Sequence, residues 1–154
     1  MLRVAGKKLG ALTLVLDALK GAIPVIIAFY LLPSLAALCG LCAMLGHVFP
    51  VWLKFKGGKG VATALGAFIA LSVPAAATIC IIWLILAFTL RYSSAAALAA
   101  FAVAPIVFYF MTGYSVIVIA IISLCVWIRH KENIRRLLSG TESRIGAGSK
   151  APKT

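Results

Sequence analysis

GVATALGAFIALSVPAAATICIIWLILAFTL, residues 60–90, carries no Lys, Arg, Asp or Glu. Near its middle, Ser72-Val73-Pro74 interrupts the apolar run with turn-forming residues. The stretch therefore reads as a helical hairpin, down and back. Two further charge-free runs have the same build: 21–53 is interrupted at Pro33-Ser34, and 92–128 at Thr112-Gly113. Each limb comes to roughly 15–18 residues against about 20 for a full span, so tilt or extension into neighbouring loops is required.

Composition agrees with that reading. Of 154 residues, 64% are hydrophobic and 12% charged, where a soluble domain has an apolar share of roughly 45–50%. One core of this size cannot hide so much apolar surface, which excludes a soluble globular protein and makes lipid the solvent. The N-terminal MLRVAGKKLG is basic, yet no convincing cleavage site follows it. Fifteen Lys and Arg stand against three acids, Asp17, Glu132 and Glu142. A hairpin returns to the side it left, so the basic clusters at 3–8, 54–59, 91 and 129–136 share one compartment. By the positive-inside rule that compartment is the cytoplasm. The expected fold is all-α: a polytopic integral membrane helical bundle of short, paired transmembrane helices with its functional loops on the cytoplasmic side. Residues 1–142 form its single domain, and the small, polar residues 143–154 are expected to be a disordered cytoplasmic tail.

Residues 9–20, LGALTLVLDALK, fit this scheme least well. Asp17 and Lys20 are three apart and can pair on one helical face. A lone charge at the bilayer centre costs about 2.5–3.5 kcal/mol, so the pair belongs near an interface or inside the bundle. Depending on how 9–31 divides, five, six or seven segments are possible. Cys39 and Cys42 form a C-x-x-C within LAALCGLCAML, a lipid-soluble helix in which small-residue packing explains them better than zinc. Trp52, Trp83 and Trp127 read as interfacial anchors.

Three basic connections could carry chemistry. In the first, K-G-G-K-G at 56–60 leads through V-A-T into a helix. Glycines let backbone approach a ligand, successive N–H groups at a helix N-terminus attract an anion, and lysines add charge. A flexible basic loop with glycines for turning explains the same residues equally well. The second, R-Y-S-S at 91–94, offers a cation and two hydroxyls, although a helix cap by Ser93 or Ser94 is the simpler explanation. The third, RHKENIRRLLSGTE at 129–142, places His130, Asn133 and Arg136 or Leu137 on one helical face. Such a face suits a small phosphorylated substrate, and it equally suits an amphipathic helix on anionic lipid.

Taken together, LRVAGKKLGALTLVLDALKG at 2–21, GHVFPVWLKFKGGKGVAT at 46–63, RYSS at 91–94 and RHKENIRRLLSGTE at 129–142 resemble the bacterial acyl-phosphate:glycerol-3-phosphate acyltransferases. The resemblance covers nearly the whole chain, with its motifs in the family's order. It implies a bacterial inner-membrane enzyme that moves an acyl group from acyl phosphate to the sn-1 hydroxyl of glycerol 3-phosphate, giving lysophosphatidic acid for phospholipid synthesis. By that resemblance Lys56, Gly57, Gly58, Lys59 and Gly60 bind phosphate, with further phosphate contacts from Arg3 and Ser93 or Ser94. His130 and Asn133 hold glycerol 3-phosphate, and Lys59 joins them in the catalytic group. Glu142 is assigned structural support. The proton acceptor is either His130 or a substrate phosphate oxygen, and the scarcity of acids favours the substrate. The implied partners are acyl phosphate, glycerol 3-phosphate and membrane lipids, with no cofactor, metal or nucleic acid.

Family members also carry an N-terminal transmembrane helix and a G-S-G-N-x-G-A-T-N motif just before the counterpart of Leu2-Arg3, whereas this sequence starts with Met1 where that motif ends. The 154-residue polypeptide alone is therefore expected to be inactive or nearly so. A membrane carrier or channel for a phosphorylated metabolite is the alternative. It would want polar residues at mid-membrane or on both faces.

Overall fold

A computed structural model describes residues 6–112, 114 and 116–147. Among these residues the chain forms seven α-helices: α1 Gly6–Leu31, α2 Ala36–Val48, α3 Val61–Leu71, α4 Val73–Leu90, α5 Ser93–Met111, α6 Val116–Arg129 and α7 Lys131–Leu138. The first six form three consecutive hairpins. Their far turns fall at 32–35, at Ser72 and after Met111, close to the three breaks expected from the sequence. The segments 49–60, 91–92 and 130–147 consequently gather at the opposite end of the bundle.

The first hairpin begins earlier than its charge-free run. Residues 9–31 do not divide: α1 is one 26-residue helix with Asp17 and Lys20 in its interior. Lys20 Nζ lies 2.6 Å from Asp17 Oδ1, so the two charges satisfy each other and the helix continues past them. With α1 and α2 as the two limbs, residues 6–8 and the 49–60 loop fall at the same end. Limb lengths are also less even than expected. The helices α1, α4 and α5 are long enough to cross a membrane alone, whereas α3 has 11 residues and α6 has 14.

α1 packs most extensively on α3, and two glycines permit it. A Cβ at Gly21 would collide with the Thr63 carbonyl, and one at Gly66 with the Ala18 carbonyl. Small residues let backbones approach where lipid offers no hydrophobic drive between helices. Phe68 of α3 anchors the core, with ring centroids 4.9 Å from Phe108 and 5.7 Å from Phe101. Met44, Ile79, Ile119 and Ile122 are also fully buried. The outward-facing apolar side chains, among them Leu12, Ile27, Phe88 and Ile117, form a lipid-facing surface. At the far turn, Ser72 caps α4 by accepting from the Ala75 N–H at 3.4 Å. Trp127 has a role beyond an anchor: its Nε1–H donates to the Leu98 carbonyl at 3.1 Å and ties α6 to α5.

Candidate functional site

The end that gathers the basic segments is built on the loop after α2. There Phe55 N–H donates to the Pro50 carbonyl and Lys56 N–H to Leu53, each at 3.0 Å. These bonds hold Lys54 and Phe55 at φ values of 50° and 62°, which side chains rarely adopt. Gly57 N–H then reaches back to the Val48 carbonyl at 3.1 Å. Only glycine fits at 57, because a Cβ would enter the His47 and Val48 carbonyls. Gly58 packs against the His47 ring. Gly60, at φ 82°, is the residue from which α3 starts.

The N–H groups of Gly58, Lys59 and Gly60 donate to no acceptor among the described residues. The first turn of α3 adds further unpaired donors and the positive end of its dipole. Thr63, in that first turn, is fully buried and its hydroxyl has no hydrogen-bond partner among the described residues. The loop thus presents a concentration of backbone donors suited to an anion.

The second wall comes from the joint between α6 and α7. His130 is 3% exposed, and its Nδ1 lies 2.8 Å from the Val126 carbonyl. A carbonyl only accepts, so Nδ1 carries the proton and Nε2 of the neutral ring keeps its lone pair. Burial lowers the His130 pKa, a tendency that the Val126 bond opposes and nearby Lys59 reinforces. The imidazole is therefore neutral at pH 7.

Below it, Glu142 gathers three donors. Its Oε1 accepts from Ser94 Oγ at 2.8 Å and from Asn133 Nδ2 at 2.7 Å, and its Oε2 accepts from Arg136 Nε at 2.6 Å. Burial alone would raise the Glu142 pKa, but the bonds from Asn133, Ser94 and Arg136 hold it below its ordinary value. Lys59 lies within electrostatic reach of Glu142 and Arg136. It is exposed by area, yet withdrawal of water lowers its pKa, with Glu142 opposing the change and Arg136 adding to it. Lys59 makes no ion pair among the described residues.

The structure thus brings together Lys59, His130, Asn133, Ser94 and Glu142 from three segments, the 49–60 loop, the start of α5 and residues 130–147. Gly57, Gly58 and Gly60 shape the adjoining loop. Lys56 is exposed on that loop, and Ser93 is exposed at the start of α5 without a hydrogen bond among the described residues. Neither serine caps α5, whose N-cap is Tyr92, because the Ser94 hydroxyl is directed to Glu142 instead. Arg3 lies outside the described residues.

Arg91 is also diverted from anion binding. Its guanidinium donates to the Ile145 carbonyl at 3.0 and 3.3 Å, and its own carbonyl accepts the Ile145 N–H at 2.6 Å. Arg144 Nε donates to the Tyr92 hydroxyl at 2.9 Å. These bonds pin residues 144–145 of the segment expected to be disordered. Residues 148–154 of that segment lie outside the described residues. Sequence reasoning missed these pairings, as well as the contact between Asp17 and His47, whose Nδ1 lies 3.5 Å from Oδ1. No short-range pattern announces them, since the partners are 30 to 54 residues apart.

A family described as "Glycerol-3-phosphate acyltransferase" matches residues 1–140. The protein named glycerol-3-phosphate acyltransferase from Mesorhizobium japonicum is 51% identical over 148 residues, covering 96% of this chain and 76% of its own length. Its namesake from Sinorhizobium fredii is 52% identical over 151 residues, covering 95% and 72%. Among solved structures, the glycerol 3-phosphate form of PlsY (YgiH), an integral membrane glycerol 3-phosphate acyltransferase, superposes with a TM-score of 0.89 at 40% identity. That match covers 94% of this chain and 75% of the other. The lysophosphatidic acid form gives a TM-score of 0.87 at 40% identity.

Proposed function

We propose that this chain, which belongs to the glycerol-3-phosphate acyltransferase family, uses an acyl phosphate as donor and acylates the sn-1 hydroxyl of glycerol 3-phosphate. The products are lysophosphatidic acid and inorganic phosphate. The observation that carries this reading is the meeting, at one end of the bundle, of the unpaired glycine-loop amides with Lys59 and a buried neutral His130.

In this reading the phosphate of glycerol 3-phosphate is held by the N–H groups of Gly58, Lys59 and Gly60 and by the Lys59 ammonium. Lys56 and Ser93 add phosphate contacts at the rim, and Arg3, which lies outside the described residues, is a further phosphate contact by the family resemblance. His130 Nε2 accepts a hydrogen bond from the sn-1 hydroxyl, and Asn133, fixed through Glu142, helps to orient the glycerol. Ser94 completes the support of Glu142. The apolar tail of the donor lies against the lipid-facing surface, with its phosphate at the basic end.

The hydroxyl oxygen attacks the acyl carbonyl carbon and forms the ester bond. The bond from that carbon to the phosphate oxygen breaks, and the proton passes to a phosphate oxygen of the substrate. An acyl phosphate is a mixed anhydride with a good leaving group, so positioning and charge neutralisation supply much of the acceleration. The positive-inside rule puts this end, and the C-terminus, in the bacterial cytoplasm.

Donor choice is the test. The chain is joined at its N-terminus to the corresponding segment of the Mesorhizobium relative, so that the outcome does not depend on where the 154 residues begin. Product formation is then measured in detergent with acyl phosphate and with an acyl thioester. Transfer from acyl phosphate alone is expected. Transfer from the thioester, with none from acyl phosphate, would overturn the proposal.

A further inference from the structure

Arg129 ends α6 one residue before His130, and its guanidinium turns away from the helix toward the glycine loop. Nη2 donates to the Gly57 carbonyl at 2.9 Å, and Nε donates to the Gly58 carbonyl at 3.2 Å. The guanidinium also stacks on the Phe49 ring, 5.9 Å from its centroid. An arginine beside a phosphate-binding loop invites the reading of a phosphate ligand. Two of its nitrogens, Nε and Nη2, are instead directed to backbone oxygens.

We propose that Arg129 is a positioning residue: it sets the two peptide units of the glycine loop so that their N–H groups face the phosphate of glycerol 3-phosphate. In a trans peptide the C=O and the following N–H point in opposite directions, and no peptide among the described residues is cis. Drawing the Gly57 carbonyl toward Arg129 therefore turns the Gly58 N–H away from it. Drawing the Gly58 carbonyl the same way does this for the Lys59 N–H. Two neighbouring amides are thereby aimed together, although glycine backbone left alone samples many orientations.

The planar guanidinium meets the two carbonyls with N–H groups held in a fixed fork, an orientation that the single ammonium at the end of a flexible lysine stem does not reproduce. Hydrogen bonds to the carbonyls also polarise the same amides and strengthen them as donors. Packing of the His47 ring on Gly58 limits the loop from the opposite element. Because Arg129 and His130 are adjacent, one backbone joint registers both the phosphate loop and the imidazole.

This inference rests on the proposed phosphate role of the loop, and its test separates the two. Hydrogen–deuterium exchange of peptides covering 54–60 and calorimetric titration with glycerol 3-phosphate are run on wild type, Arg129→Ala, Arg129→Lys and Lys59→Ala. Arg129→Ala is expected to exchange faster across 54–60 without substrate and to bind glycerol 3-phosphate about tenfold more weakly. Added guanidinium at non-denaturing concentration should restore part of both. Arg129→Lys, which keeps the charge and serves if the alanine variant fails to fold, is expected to be impaired in both readouts. Lys59→Ala is expected to lose affinity with wild-type exchange. Wild-type loop exchange in both Arg129 variants would overturn the proposal, as would wild-type exchange together with full affinity in Arg129→Lys. Faster exchange with unchanged glycerol 3-phosphate affinity would keep the clamp but overturn the phosphate role of the loop.

Discussion

The Nδ1 proton of His130 is committed to the Val126 carbonyl at 2.8 Å, and burial keeps the ring neutral. Its free lone pair can orient a hydroxyl whether or not it takes the proton. If a substrate phosphate oxygen is the base, His130→Ala should lower glycerol 3-phosphate affinity and turnover by comparable factors of about tenfold or more. Full affinity with turnover reduced by several orders of magnitude would instead make His130 the base. The direction of its pKa shift also fixes a pH dependence. A His pKa lowered in the folded protein leaves the ring neutral at and above the ordinary value, so transfer should hold steady down to about pH 6.5 and decline only below it. A decline already beginning above pH 7 would contradict this. His130, Asn133 and Glu142 were legible as site candidates because they fall in one contiguous motif. The bond from Ser94 to Glu142 was not, since nothing local marks a partner 48 residues away. At R-Y-S-S the simpler explanation, a helix cap by Ser93 or Ser94, gives way to Tyr92 as N-cap, while two of the Arg91 nitrogens donate to a carbonyl 54 residues on.

At the scale of elements, the three hairpin breaks could be read directly, because Pro and Gly act on the backbone where they stand. Helix lengths could not, because they depend on partners. Asp17 and Lys20 broke the apolar pattern of α1, yet their 2.6 Å contact lets the helix run through. Close packing of α1 on α3 was equally hidden, since Gly21 and Gly66 acquire meaning only when the Thr63 and Ala18 carbonyls are seen against them. Gly66→Ala adds one carbon where a carbonyl already lies, so the helices must separate. A loss of about 1–3 kcal/mol is expected, read as a lower thermal midpoint in detergent. Gly46→Ala serves as control, because open space surrounds that position. Equal midpoints for the two variants would contradict the packing account. Since α3 also begins at the glycine loop, separation should weaken glycerol 3-phosphate binding as well.

Across the whole molecule, three hairpins with their far turns on one side deliver four separated stretches of sequence to the other. This delivers Lys59, Ser94, His130 and Glu142 to one place without a soluble domain to carry them. Lipid does the rest, by keeping an apolar donor beside a basic end. The central claim is that this end binds glycerol 3-phosphate through the glycine loop and Lys59. Titration calorimetry of glycerol 3-phosphate into the chain joined to the Mesorhizobium N-terminal segment, and into its Lys59→Ala variant, tests it most directly. The account predicts one saturable site in the wild type and an affinity at least about tenfold weaker in the variant. Equal affinities, or no binding to either protein, would contradict it.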